Sequence, residues 1–378
     1  MSISGSATKE GTARYAERFP KIEGNASYKR YDRKTLSSLG LGTYLGVPTD
    51  DSAYETTITA ALQGGINVID TAINYRHMRS ERVVGKIVAK LIADGNIKRD
   101  EIFISTKGGY LSFDCDAGLE QREYLDRTFI QTGLVAAEDI GAVPHSLSPK
   151  FLEHQLNQSL KNLGLETIDL YYLHNPETQL NRLTREAFLN MLEQAFSFLE
   201  KAVAEKKIAA YGIATWNGFR LEERDREYLS LGEVLQVASK VAGDKTHNFK
   251  AVQAPLNLSR PEALNLKTQA TVGKTDKNAM LFAAAHSRIG VFGSAPLDQG
   301  KLVQHLPMTV HSHFPGLATD AQRALQFARS CPAISSTLVG VRTLPHLKEL
   351  LQLLEKAPTP GENFVRFYEK SMVTAYSS

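Results

Sequence analysis

The sequence predicts a closed (β/α)8 barrel, and three observations carry that expectation. From about residue 38 onward, short apolar runs of β-type composition alternate strictly with segments of helical period. That is the pattern of a parallel sheet joined by crossover helices. Eight such pairs favour closure over an open, doubly wound sheet. The feature that would favour the open sheet is the glycine cluster between Gly40 and Gly46. It departs from the dinucleotide fingerprint, which needs its third glycine at position 45, where Leu45 stands. A helix should also open there, and Val47, Pro48, Thr49, Asp50 and Asp51 follow instead.

Taken in order, the strand candidates are residues 39–43, 67–70, 102–107, 168–174, 210–215, 251–257, 290–295 and 336–340. The helix candidates between and after them are 52–64, 80–93, 148–163, 186–206, 229–241, 275–287, 319–330 and 343–355. Ser80 is the expected N-cap of the second helix, with Val83 and Val84 behind it. In the third, Phe151, Leu152, Leu156, Leu160 and Leu163 follow the 3, 4 spacing of one buried face. Two connections are long, 108–147 and 296–319. Both leave the C-terminal ends of strands, where barrel active sites lie, and are expected to act as lids. In the first, Tyr110, Phe113, Tyr124 and Phe129 are expected to form an apolar cover. Residues 1–37 read as a flexible segment with a hairpin, and 38–378 as one barrel domain.

Composition narrows the function. The chain has 378 residues, of which 42% are hydrophobic and 22% charged. Its 44 Lys and Arg against 41 Asp and Glu leave a net charge of +3, no nucleic-acid footprint. No apolar run approaches the ~20 residues of a membrane span, and the first residues lack the apolar core of a signal peptide. The expectation is a cytoplasmic protein with neither nucleic acid nor membrane as partner. Cys115 and Cys331 make neither a disulfide framework nor a metal site. The run His311, Ser312, His313, with His305 nearby, reads as a polar loop, and no metal is expected.

Three strand candidates end in an ionisable residue: Asp70, Lys107 and His174. On neighbouring barrel strands these bring a carboxylate, an ammonium and an imidazole to one mouth. A lone buried charge is costly, while an Asp–Lys pair satisfies both partners. Tyr75 follows Asp70 by five residues. A tyrosine phenol titrates near ~10, and an adjacent ammonium is expected to lower that value and make a better proton donor. Asp70 then holds Lys107 charged, and His174 orients a bound carbonyl. This is machinery for protonating an oxygen.

With these residues placed, the chain resembles an aldo-keto reductase from about Leu39 to Leu354. The resemblance is carried by Gly40 to Tyr44, Gly65 to Tyr75, Ser80-Glu81 with Val84-Gly85, Ser105 to Lys107, and Ile168 to Pro176. It implies a barrel of TIM type, a catalytic tetrad of Asp70, Tyr75, Lys107 and His174, and NADPH (NADH less often) bound without a Rossmann domain. It further implies cofactor contacts from Thr43, Asp70, Gln253, Ser294, Ala295 and Leu297. The family's Ser-Asn pair falls at Ala214-Thr215, so Thr215 or Asn217 would substitute. Its stacking aromatic falls at Ser294, so stacking would come from Trp216 or a loop residue. At the eighth strand it implies Gly340, Arg342, His346 and Glu349, with Arg342 on a 2′-phosphate. The implied function is an NAD(P)H-dependent oxidoreductase interconverting a small-molecule carbonyl and an alcohol. An NAD-dependent sugar or polyol dehydrogenase on the same fold, and an NADPH-binding regulatory barrel subunit, are the alternatives.

Overall fold

The computed structural model describes residues 2–136, 143–270, 276–361 and 364. Eight parallel strands close a barrel of TIM type: β3 (Leu39–Gly42), β4 (Val68–Asp70), β5 (Phe103–Gly108), β6 (Leu170–His174), β7 (Tyr211–Ala214), β8 (Phe249–Pro255), β11 (Gly290–Ser294) and β12 (Ile334–Gly340). They pair in that order, with β12 returning to β3. Before them lies a hairpin, β1 (Tyr28–Tyr31) with β2 (Lys34–Ser37), and a two-residue ribbon, β9 (Gln269–Ala270) with β10 (Lys277–Asn278), interrupts the later part. Every expected strand forms within two residues of its sequence bounds.

Register brings the strand ends together. Gly42 pairs with Asp70, Asp70 with Ser105, Lys107 with Tyr172, His174 with Ala214, Ala214 with Gln253 and Gly340 with Gly42. Alternation turns Phe103, Ser105 and Lys107 to the same face, so one strand supplies core at the bottom and chemistry at the top. Phe103, Tyr172, Phe292 and Leu338 fill the barrel interior, which makes it a packed core rather than a pore.

The N-terminal segment departs from the expected flexibility. Residues Lys9–Glu17 form a helix N-capped by Thr8, whose side chain accepts from the Gly11 N–H. Tyr15 is fully buried and its hydroxyl lies against the carbonyls of Leu62 (2.7 Å) and Ile66 (2.9 Å). Arg14 and Arg18 both reach Glu101. One aromatic anchor with two ion pairs orders the helix, a long-range effect that local sequence does not announce. The hairpin then plugs the bottom of the barrel with Tyr31, edge-on to Phe103 at 5.5 Å and Phe292 at 5.2 Å. Beside it the Lys29 ammonium is buried against the Arg329 carbonyl at 2.5 Å. Arg329 is itself buried, on the hydroxyls of Ser27 and Ser38 and the carbonyl of Lys356.

Two further expectations need correction. The helix expected from residue 80 spans Arg79–Ala93, and its N-cap is Met78 in the left-handed region (φ 70°) without a capping side chain. Ser80 instead donates to the Thr43 carbonyl at 2.7 Å and ties this helix to β3. The long loop 108–147, of which 137–142 lie outside the described residues, places only Tyr110 of its four expected cover aromatics at the cavity; Phe113, Tyr124 and Phe129 do not line it. Phe113, Tyr124, Phe129 and Phe151 form a chain of edge contacts, 5.5, 6.1 and 5.6 Å apart. That chain ends on Phe151 of the helix Pro149–Leu163, outside the barrel. Apolar side chains lowered their exposure against a ready helix face rather than over a water-filled opening. Among the described residues no helix is long and apolar enough to cross a membrane.

Candidate active site

A cavity of about 720 Å³ opens at the C-terminal ends of the barrel strands. Its floor is built from β4 and β5. Lys107, fully buried, donates to Asp70 Oδ2 at 2.5 Å and to the Thr71 carbonyl at 2.8 Å. Its ammonium also stands over the Tyr75 ring, with the centroid 4.7 Å from Nζ. Two of the ammonium's N–H groups thus have acceptors, and its charge lies against the tyrosine ring. Asp70 takes two more donors on Oδ1, from Ser105 Oγ (2.7 Å) and Gln253 Nε2 (2.9 Å).

The electrostatics revise one expectation. Burial raises the Tyr75 phenol above its ordinary value, and the Lys107 ammonium only partly opposes that. Desolvation of a phenolate outweighs the neighbouring charge, so the phenol stays protonated well past neutral pH. For Lys107, burial works to lower the value, and Asp70 and Tyr75 outweigh it, leaving the ammonium above its ordinary range. His174 is pushed well below the usual histidine value by burial, with Lys107 and His145 adding to it. It is neutral. Its Nδ1 is buried and has no hydrogen-bond partner among the described residues, so Nε2 is the nitrogen open to the cavity. Its ring lies edge-on to Tyr75, centroids 5.9 Å apart.

Of the expected cofactor residues, Thr43, Asp70, Thr215, Gln253, Ser294, Ala295, Leu297, Gly340, Arg342 and His346 line this cavity. Two do not. Asn217 is turned aside, its amide donating to Glu227 Oε2 (2.7 Å) and its oxygen accepting from Arg220 (3.1 Å). Glu349 faces the neighbouring helix and accepts from Thr319 Oγ1 at 2.7 Å. Thr215 reaches the cavity, yet its hydroxyl is engaged: it donates to Glu177 Oε1 (2.5 Å) and accepts from the Gly218 N–H (2.7 Å). Arg342 is exposed and forms no side-chain hydrogen bond or ion pair with another described residue. Beside it, Thr343 caps the N-terminus of the helix Leu344–Leu354. A free guanidinium at a helix N-terminus suits a phosphate.

Several contributors escaped the sequence reading. Ser105 sits two residues before Lys107 on the same strand, so period-2 alternation alone could have found it. Tyr44, Asn74 and Asn175 line the cavity from loops, and no periodicity points to them. Glu177 is buried, and one of its oxygens collects Thr215 Oγ1 and the backbone N–H groups of Trp216 and Asn217. It thereby fixes the turn that carries Trp216, a cavity residue. Away from the cavity, Asp114, Cys115 and Asp116 converge, and both carboxylates pair with Arg82.

The comparisons with known proteins agree with this geometry. The family model described as "Aldo/keto reductase family" matches residues 38–239, over half of the chain. An NADH-specific methylglyoxal reductase of Escherichia coli is 28% identical over 213 residues, 54% of this chain and 55% of that protein. A morphine 6-dehydrogenase of Pseudomonas putida is 27% identical over 237 residues, 62% of this chain and 58% of that protein. The matched part thus spans little more than half the length of these relatives. Among solved structures, the holo form of an aldo-keto reductase from Bacillus halodurans superposes with a TM-score of 0.61 at 18% identity, covering 91% of this chain and 95% of that one. A glycerol dehydrogenase from Gluconobacter oxydans gives 0.61 at 20% identity, covering 91% and 94%. At such identities the superpositions speak for the fold. The chain belongs to the aldo/keto reductase family.

Proposed function

We propose that this protein is an NAD(P)H-dependent oxidoreductase that interconverts an aldehyde or ketone and the corresponding alcohol. The observation that carries the reading is the buried Asp70–Lys107 pair beneath a protonated Tyr75, beside a neutral His174 at the cavity. The cavity's residues fit a nicotinamide dinucleotide. It runs past Gln253 and Ser294 to Arg342, which is exposed and unpaired and stands next to a capped helix N-terminus. When bound, such a coenzyme supplies or takes up hydride.

The chain's own residues do the rest. Tyr75 offers its O–H to the substrate oxygen, because burial keeps the phenol protonated and the Lys107 ammonium stands against its ring. His174 donates from Nε2 to the same oxygen and orients it. Lys107, fixed by Asp70 and the Thr71 carbonyl, stabilises the phenolate left after the proton moves. Trp216, an aromatic of the cavity lining, stacks on a flat ring in this reading, with no aromatic at Ser294. Arg342 favours NADPH over NADH through the 2′-phosphate.

The test is a screen of NADPH and NADH oxidation against aldehydes, ketones and sugars, with Tyr75→Phe as the control. Turnover abolished by that substitution supports the reading. Tight coenzyme binding without turnover on any carbonyl compound would leave a coenzyme-binding, non-catalytic role.

A further inference from the structure

We propose that Tyr110 and Asn175 form a hydroxyl-recognition subsite next to His174. The cavity would then select neutral carbonyl compounds that carry a hydroxyl on the carbon adjacent to the reacting carbonyl. This rests on the oxidoreductase reading above and adds the substrate class.

The chain leaves β5 through Gly109, whose φ of +142° and surroundings admit no side chain: a Cβ would stand 2.7 Å from His145 Nε2 and 3.1 Å from the His174 carbonyl. That close approach brings Tyr110 against the end of β6, bridged to His145. The Tyr110 ring lies edge-on to His174 at 4.9 Å. Tyr75 also lies near-perpendicular to His174, at 5.9 Å, so both tyrosine rings pack against the imidazole. A group held by Tyr110 is therefore close to the atom that Tyr75 and His174 address.

The hydrogen bonding leaves a matched pair. Asn175 Nδ2 donates to the Tyr110 hydroxyl at 2.8 Å, so that oxygen acts as acceptor and its own proton has no acceptor among the described residues. Asn175 Oδ1 likewise has no donor among them, and both residues line the cavity. Asn175 is held in place by its N–H on the Ala214 carbonyl and by a left-handed backbone, φ 47°. One free donor beside one free acceptor is the complement of a single hydroxyl group.

Charge excludes the nearest competitors. On this side of the cavity the ionised groups are Asp70 and Lys107, which are bonded to each other with the ammonium buried beneath Tyr75. The unpaired Arg342 belongs to the β12 side. A carboxylate or phosphate substituent would thus lose water without gaining a cation, while a hydroxyl finds both partners.

The experiment uses the full chain with saturating NADPH and compares 2-hydroxypropanal with propanal. Two neutral hydrogen bonds correspond to a preference of roughly ten-fold or more in kcat/KM. The ratio should fall toward one in Tyr110→Phe, which keeps the ring against His174. It should fall likewise in Asn175→Gly, which keeps the left-handed backbone. A wild-type ratio near one, or a ratio untouched by both substitutions, overturns the proposal.

Fluorescence of Trp216, the sole tryptophan and a cavity residue, gives a readout independent of turnover. With NADP⁺ bound, propane-1,2-diol should bind more tightly than propan-1-ol, and the difference should vanish in both variants. If the diol preference held while no aldehyde was reduced, the subsite would stand and the oxidoreductase reading would fall. Equal binding of diol and alcohol removes the subsite even if both aldehydes are reduced.

Discussion

Lys107 and Asp70, 37 residues apart in the chain, meet at 2.5 Å inside the barrel with the lysine fully buried and the aspartate nearly so. The pair satisfies two charges that neither strand could bury alone. Asp70→Asn keeps the shape and removes the anion, leaving the ammonium with a carbonyl and a phenol. Breaking one side of a buried pair typically costs ~3–5 kcal/mol. Denaturant unfolding of Asp70→Asn should show a loss of that order, and a loss below about 1 kcal/mol would mean that Lys107 deprotonates readily in the fold.

Tyr75→Phe removes only the O–H. General acid catalysis is worth ~10²–10⁴-fold, and kcat for carbonyl reduction should fall by about that factor. Coenzyme affinity should hardly change. Near-normal turnover would assign the proton to His174.

Arg342→Ala should weaken NADPH by roughly ten-fold or more, the scale of hydrogen bonds to a charged group. NADH, without the 2′-phosphate, should bind as before. Equal losses in titrations of both coenzymes would give Arg342 a structural role.

Lys29 supplies a pH prediction. Burial lowers its ammonium to about 7, against about 10.4 in an unfolded chain. The unfolded state then binds more protons between those values, so stability rises with pH across that window. Below pH 7 both states are charged and the burial penalty is present in full. Lys29→Met should therefore raise the melting temperature most near pH 6 and flatten the rise seen in wild type between pH 7 and 10. An identical slope in the variant would place the ammonium in solvent.

Phe129→Ala tests the displaced lid. Phe129 is buried against Phe151, and Phe→Ala in a packed cluster costs ~3–5 kcal/mol. Since Phe129 does not line the cavity, KM for a small aldehyde should stay within about two-fold while the melting temperature drops. A large KM change with unchanged stability would restore the loop as a cover.

The sequence by itself determined the alternation of strands and helices, and with it the barrel and the order Asp70, Tyr75, Lys107, His174. Those follow from local periodicity and from residues at strand ends, which need no knowledge of what lies opposite. The tertiary structure decided whatever depends on a partner distant in the chain. Tyr15 anchors a helix that reads as a loose end, because its acceptors are the carbonyls of Leu62 and Ile66. Burial outweighs Lys107 at Tyr75, a balance fixed by how much protein surrounds the phenol. Asn217 and Glu349 face away from the cavity because Glu227 and Thr319 hold them. Tyr110 reaches the mouth and Phe129 does not, because Gly109 lets the backbone pass within contact of His145 while Phe151 offers Phe129 an apolar face. Hydrophobic burial and hydrogen-bond satisfaction are settled between neighbours in space, and in a loop without periodicity the sequence does not say which neighbours those are.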